Sequence, residues 1–190
     1  LPLAEDYTLG QIIEPPSMAT SALYDEWCAL VEASGAAVLR ASQGTAIALG
    51  DGLRLEVLSP SASAAALGEP DSNASSLVLR VSMGDWSALL TADIDAETEA
   101  ALVRGGASLQ ADLLKVAHHG AGGGSSEGFL RAVDPQVALI SVGADNDYGH
   151  PAPETLARLA AADVRVLRTD QRGTLEVITD GERCWVRCAR

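Results

Sequence analysis

The sequence predicts an α/β domain in which mixed sheets are flanked by helices, and three observations carry that expectation. Short apolar runs crowd the first half of the chain, and two pairs of them are joined by tight turns. From about residue 95 onward such runs alternate with helical patterns, an order that suits an α/β or α+β domain with mixed sheets. Neither an internal repeat nor a low-complexity linker divides the 190 residues, so one domain, residues 1–190, is expected.

The elements follow in order. Pro15-Pro16 closes a first segment. Ser21 then opens a helical pattern that places Leu23, Trp27, Leu30 and Val31 on one face and runs to about Ser34, where Gly35 stops it. Ala36–Arg40 reads as a strand. Thr45–Leu49 and Leu53–Leu58 flank Gly50-Asp51-Gly52, which signals a hairpin. Residues Pro60 to Asn73, rich in Ser, Ala, Gly and Pro, read as a loop. Ser76–Met83 and Trp86–Ala92 are strands joined at Gly84-Asp85. Asp95 is placed to cap a helix over Ala96–Arg104 that Gly105-Gly106 ends. Strands are expected at Leu113–Ala117, Gln136–Val142, Val164–Arg168, Thr174–Ile178 and Arg183–Arg187. Helices are expected at Glu127–Val133 and at Pro153–Ala162, the second with proline in its first turn.

Composition limits the function classes. Apolar residues make up 47% and aromatics only 4%, so the core must be built from Ala, Leu and Val. With 26 acidic against 13 basic residues the net charge is −13, and Lys115 is the single lysine. That balance argues against general electrostatic binding of nucleic acid, although metal ions could supply positive charge at a small phosphodiester site. Apolar runs reach nowhere near the roughly 18 residues that a membrane span needs, and no basic-then-apolar leader pattern opens the chain. Cys28, Cys184 and Cys188 form no C-x-x-C pair; Cys28 reads as packing on a helix, and a zinc site built from these three alone is not expected.

Candidate chemistry gathers where strands end. The run Leu113 to Ala117 delivers His118-His119-Gly120 and then the glycine-rich stretch Gly122-Gly123-Gly124-Ser125. On a strand, neighbouring side chains face opposite ways, so the pair could offer one imidazole to a metal and the other to substrate, or could cap the strand. Leu89-Leu90-Thr91-Ala92-Asp93 is a strand that ends in a carboxylate; Asp93 or Asp95 could equally cap the next helix. Set beside the histidine pair at one rim of a sheet, Asp93 makes a divalent site plausible. Ser141 to Pro151 is a further strand end and holds the last histidine, His150, either a site residue or a loop histidine bonded to backbone. Arg168-Thr169-Asp170-Gln171-Arg172-Gly173 reads as a hairpin turn that could bring Arg168 or Thr169 to the same rim. The nucleophile elbow, the Walker loop and a dinucleotide-binding glycine motif after a strand are all missing.

Together, Thr91-Ala92-Asp93, Leu114-Lys115-Val116-Ala117-His118-His119-Gly120, Asn146 with Tyr148-Gly149-His150-Pro151, and Arg168-Thr169-Asp170 with Gly173 resemble the metallo-β-lactamase-like domain of the ComEC family of bacterial competence proteins. Asn73-Ala74-Ser75-Ser76-Leu77-Val78-Leu79 resembles a strand of the same domain, and the likeness runs in register from about Gln11 to Ile178. The resemblance implies an αββα fold and hydrolysis of a phosphodiester by metal-activated water, with zinc or manganese as the divalent cofactor. Asp93 would be a bridging metal ligand. One histidine of the pair would be a ligand too: His119, with His118 facing the substrate phosphate, or the reverse. His150 would share the catalytic role of His118, and Ser125, Asn146 and Arg168 would contact substrate.

Two departures from the family pattern matter. The family's main metal motif, H-x-H-x-D-H or H-x-D-x-D-H, is absent, and the chain opens at Leu1-Pro2-Leu3 as if just past it; Ala92 stands where the family usually has glycine. The resemblance thus implies an N-terminally truncated domain, with its metal absent or incomplete and its activity lost, taken from a larger bacterial cytoplasmic-membrane protein without itself entering the membrane. DNA and other competence proteins would be the parent's partners. A non-catalytic module of the DNA channel, or a hydrolase of small phosphoesters, are the competing expectations.

Overall fold

In a computed structural model of the chain, residues 7–16, 21–62 and 73–189 are described, so most of the loop expected between Pro60 and Asn73 lies outside the described residues. The strands are β1 (Gln11–Glu14), β2 (Ala37–Arg40), β3 (Ala46–Gly50), β4 (Leu53–Ser59), β5 (Val78–Met83), β6 (Trp86–Leu90), β7 (Leu113–Lys115), β8 (Val137–Ile140), β9 (Arg165–Arg168), β10 (Thr174–Thr179) and β11 (Cys184–Ala189). The helices are α1 (Ala22–Ser34), α2 (Ala96–Arg104), α3 (Glu127–Val133), α4 (Pro153–Ala161) and the single turn α5 (Thr169–Arg172).

Strands β3 to β9 form one seven-stranded sheet in sequence order. Pairing is antiparallel from β3 to β6 and parallel from β6 to β9. This is the expected α/β class, a mixed sheet flanked by helices. The β3–β4 hairpin closes as the glycine signal requires, because Asp51 (φ 49°) and Gly52 (φ 79°) both take the left-handed backbone of a two-residue turn. Two further ribbons flank the sheet. β1 and β2 pair in parallel across the crossover helix α1, and β10 pairs antiparallel with β11.

The core divides by sheet face. On one side Val78, Leu89, Leu114, Ala138 and Ile140 pack against Leu102 of α2, Phe129, Leu130 and Val133 of α3, and Leu159 of α4. On the other side Leu55, Val57 and Leu79 meet Ile13 of β1 and Leu39 of β2. Alternation along the strands splits the two sets, as the period of two demands. The β10–β11 ribbon is pinned through its turn, where the Asp85 and Trp86 N–H groups donate to the Gly181 carbonyl at 2.8 and 3.1 Å. A Cβ at Gly84 would lie 2.6 Å from that carbonyl oxygen, so this contact requires glycine.

Several expectations need correction. The predicted hairpin turn at 168–173 is instead the helical turn α5, and β9 and β10 belong to different sheets. The face of α1 is only partly covered: Val31 is buried, whereas Leu23 is 63% exposed. Cys28 is exposed rather than packed, as are Cys184 and Cys188, both on β11.

Candidate functional site

Because β6, β7, β8 and β9 run parallel, their C-terminal ends reach one rim, where ligands of open α/β sheets ordinarily bind. Asp93 follows β6, His118 and His119 follow β7, the Ser141–His150 loop follows β8, and Thr169 follows β9. The ends of β6 and β7 are knitted together. Buried Thr91 donates from Oγ1 to the Lys115 carbonyl at 2.6 Å, and His118 N–H donates to the Ala92 carbonyl at 3.0 Å.

The histidine pair does not ride on a strand. β7 ends at Lys115, and Ala117–Gly120 forms a tight helical turn in which His118 (φ 48°, ψ 46°) and His119 (φ 54°, ψ 20°) both take left-handed backbone. Strand alternation therefore does not set the two rings apart; the turn does, holding their centroids 6.5 Å apart and edge-on. Gly120 completes the turn at φ 85°, and a Cβ there would lie 2.7 Å from the Pro151 Cβ, so the turn can close against the His150 loop only with glycine.

The helix cap resolves which acid is free. Asp95 Oδ1 accepts from Thr98 N–H at 2.8 Å, and the Thr98 N–H and side chain hold its carboxyl below the usual range. Asp93 takes no part in the cap and lies with Oδ1 3.8 Å from His119 Nε2, both side chains half exposed. His119 Nδ1 is 2.6 Å from the Ser141 carbonyl, which can only accept, so Nδ1 carries a proton and the ring presents Nε2 toward Asp93. A backbone carbonyl that orients an imidazole in this way is the usual support of a metal-binding histidine. Lys115 stands close by; burial pushes its ammonium below the ordinary lysine range, and the Asp93 charge opposes that fall.

His118 and His150 meet edge-on at 5.8 Å, and Tyr148 stacks on His150 at 5.9 Å with 23° between the ring planes. Asn73 Nδ2 lies 3.5 Å from His118 Nδ1. His150 Nδ1 is buried and has no hydrogen-bond partner among the described residues. Beside His119 opens a cleft of about 680 Å³ whose walls include Lys115, Leu139, Ser141, Thr169 and Leu175.

Three of the expected substrate contacts are engaged elsewhere. Asn146 uses its amide within its own loop, donating to the Gly143 and His150 carbonyls at 2.9 and 2.8 Å and accepting from His150 N–H at 3.0 Å. Arg168 grips Asp170 through two bonds of 3.0 and 2.5 Å, and the guanidinium holds the Asp170 carboxyl below its usual range. Ser125 is 1% exposed, with its N–H donating to Glu99 Oε1 at 2.5 Å.

Sequence reasoning missed Glu99 and Arg158. Fully buried Glu99 accepts from the N–H groups of Ser125 and Ser126, while Arg158 donates to the carbonyls of Gly122, Gly124 and Ser125. Together they clamp the loop that follows the histidines. A signal for Glu99 exists, since it stands one turn before core-facing Leu102 on α2, where an apolar residue is the rule.

Asp93 Oδ1 and His119 Nε2 are two potential ligand atoms 3.8 Å apart. Among the described residues, no group of three or more His, Cys, Asp or Glu side chains converges on a possible metal position. Catalytic zinc takes about three protein ligands. The residues described therefore fit part of a metal site and do not complete one.

No protein-family model matches the chain. It is 33% identical over 175 residues to ComE operon protein 3 of Bacillus subtilis, covering 92% of this chain and 22% of that protein. It is 39% identical over 127 residues to Competence protein ComA of Neisseria gonorrhoeae, covering 66% of this chain and 18% of that protein. It is 34% identical over 118 residues to Recombination protein 2 of Haemophilus influenzae, covering 62% and 15%. The chain thus spans about a fifth of the length of these relatives.

Proposed function

The chain is homologous to one segment of these bacterial competence proteins, and from that premise we propose that it is a domain of a DNA-uptake protein whose rim, around Asp93, His118, His119 and His150, handles the phosphodiester backbone of incoming DNA. The observation that carries the reading is the Asp93–His119 arrangement. Two strands that need not have ended together present a carboxylate and an oriented imidazole 3.8 Å apart, with the neighbouring Asp95 taking the capping role that Asp93 could have filled.

The chain's own residues do the following in this reading. His119, its Nδ1 donating to the Ser141 carbonyl, presents Nε2 toward Asp93. His118, edge-on to both His119 and His150, faces the phosphate and can hold or release a proton there. The Glu99–Arg158 clamp fixes the loop behind the pair. Asp93 and His119 would be two ligands of a divalent ion, zinc or manganese. When bound, such an ion supplies the positive charge that a chain of net charge −13 lacks toward phosphate. The fold reading that goes with this is a metallo-β-lactamase-like αββα domain.

The test belongs in the full-length protein. Asp93→Ala and His119→Ala are expected to lower transformation of the host by at least about tenfold, and to remove any manganese- or zinc-dependent cleavage of DNA by the purified protein. Wild-type transformation in both variants, with the protein present at normal levels, sinks the proposal. It would favour instead a module that serves the DNA channel structurally, a reading to which the acidic surface also lends support.

A further inference from the structure

Tyr148 is 83% exposed in a chain whose aromatic content is only 4%. An exposed tyrosine is ordinary by itself, but this one is held. Its ring stacks on His150 at 5.9 Å, and His150 sits in a loop braced by the Asn146 side chain, which donates two hydrogen bonds and accepts one. From Tyr148 the rings follow one another without interruption: Tyr148 on His150, His150 edge-on to His118, His118 edge-on to His119, and His119 beside Asp93. One face of Tyr148 is taken by His150, and the high exposure leaves the other open at the mouth of the candidate site.

We infer that Tyr148 is a stacking platform for an unpaired nucleobase, so that the strand handled at this rim is single-stranded DNA; the inference rests on the DNA reading proposed above. Base–aromatic stacking is indifferent to sequence and needs no cationic groove. That suits a chain with 26 acidic and 13 basic residues, in which Lys115 is the lone lysine and is half-buried. A duplex cannot use the platform, because its bases present no free face except at the ends. A base on Tyr148 would also hold the strand beside His150 and His118, the two rings that lead to Asp93.

Fluorescence anisotropy of the 190-residue chain tests this, using a labelled single-stranded oligodeoxynucleotide and the same sequence as a duplex. The single strand is expected to bind more tightly than the duplex. Tyr148→Ala should weaken single-strand binding by roughly 5- to 100-fold, the range that stacking of one base supplies. Tyr148→Phe, which keeps the ring and loses the hydroxyl, should bind within about twofold of wild type. The slope of affinity against salt should be unchanged by Tyr148→Ala, since no ionic contact is removed. Unweakened binding by Tyr148→Ala, a loss in Tyr148→Phe as large as in Tyr148→Ala, or preference for the duplex overturns the inference. If Tyr148→Ala binds normally while Asp93→Ala abolishes transformation, stacking fails and the DNA reading stands. A chain that binds neither form, with transformation indifferent to Asp93, loses both.

Discussion

The two halves of the seven-stranded sheet are built from much the same apolar residues, yet only one of them carries candidate chemistry. In the antiparallel half, β3 to β6 run alternately up and down, so their ends are shared between two rims and are spent on turns such as Gly50-Asp51-Gly52 and Gly84-Asp85. In the parallel half, β6 to β9 all point the same way, and each leaves its C-terminal loop at one rim. Strand direction, more than residue type, decides where polar groups can gather. β6 belongs to both halves, and Asp93 at its end is where the antiparallel half meets the site.

The largest expected effect separates the halves by packing. Leu114→Ala, at a fully buried position of β7, should cost about 2–5 kcal/mol, and Val57→Ala, equally buried in β4, about 1–3 kcal/mol, both read from urea midpoints. Only Leu114→Ala should also move the imidazole NMR signals of His118 and His119, because β7 leads directly into them. Equal shifts from Val57→Ala would break the contrast.

Glu99→Ala probes what lies behind the rim. It strips acceptors from two backbone N–H groups, those of Ser125 and Ser126, with Ser125 buried. Leaving such donors unpaired should cost about 2–4 kcal/mol. Hydrogen exchange at Gly122 to Ser126 should quicken while exchange in β3 and β4 stays slow. A loss under about 1 kcal/mol would mean that the clamp is dispensable.

The smallest effect should be a gain. Ala92 holds φ 47°, a left-handed backbone that glycine adopts freely and alanine does not. Ala92→Gly should raise stability by up to about 1 kcal/mol, the strain relieved being partly offset by the looser unfolded chain. A lower thermal midpoint for this variant would show that the Ala92 methyl packs usefully.

Most elements were legible because each had local punctuation. Ser21 does accept from Tyr24 N–H at the start of α1, Gly35 ends it in left-handed backbone, and Asp95 caps α2. The pairing of β1 with β2 was not legible, since parallel partners separated by a 13-residue helix leave no turn signature. The candidate site was legible as residue types at strand ends. Its geometry was not. Which of Asp93 and Asp95 caps the helix depends on the chain's path after Thr91, and the burial of Ser125 depends on Glu99, a residue 26 positions away. Asn146 and Arg168 are substrate contacts by what the resemblance implies, and their side-chain partners within the chain, His150 backbone and Asp170, are recognisable only once the loops have closed.

Ala92, His118 and His119 all hold left-handed backbone where the chain passes the rim, and none is glycine. Each such residue carries a conformational cost of about 1–2 kcal/mol. Selection for heat tolerance alone would therefore drift toward glycine at all three positions, and at two of them it would erase an imidazole. Descendants that no longer use the rim should show that drift first at 118 and 119, well before their cores change. If the rim works as proposed, the backbone of these three residues is a record of that use.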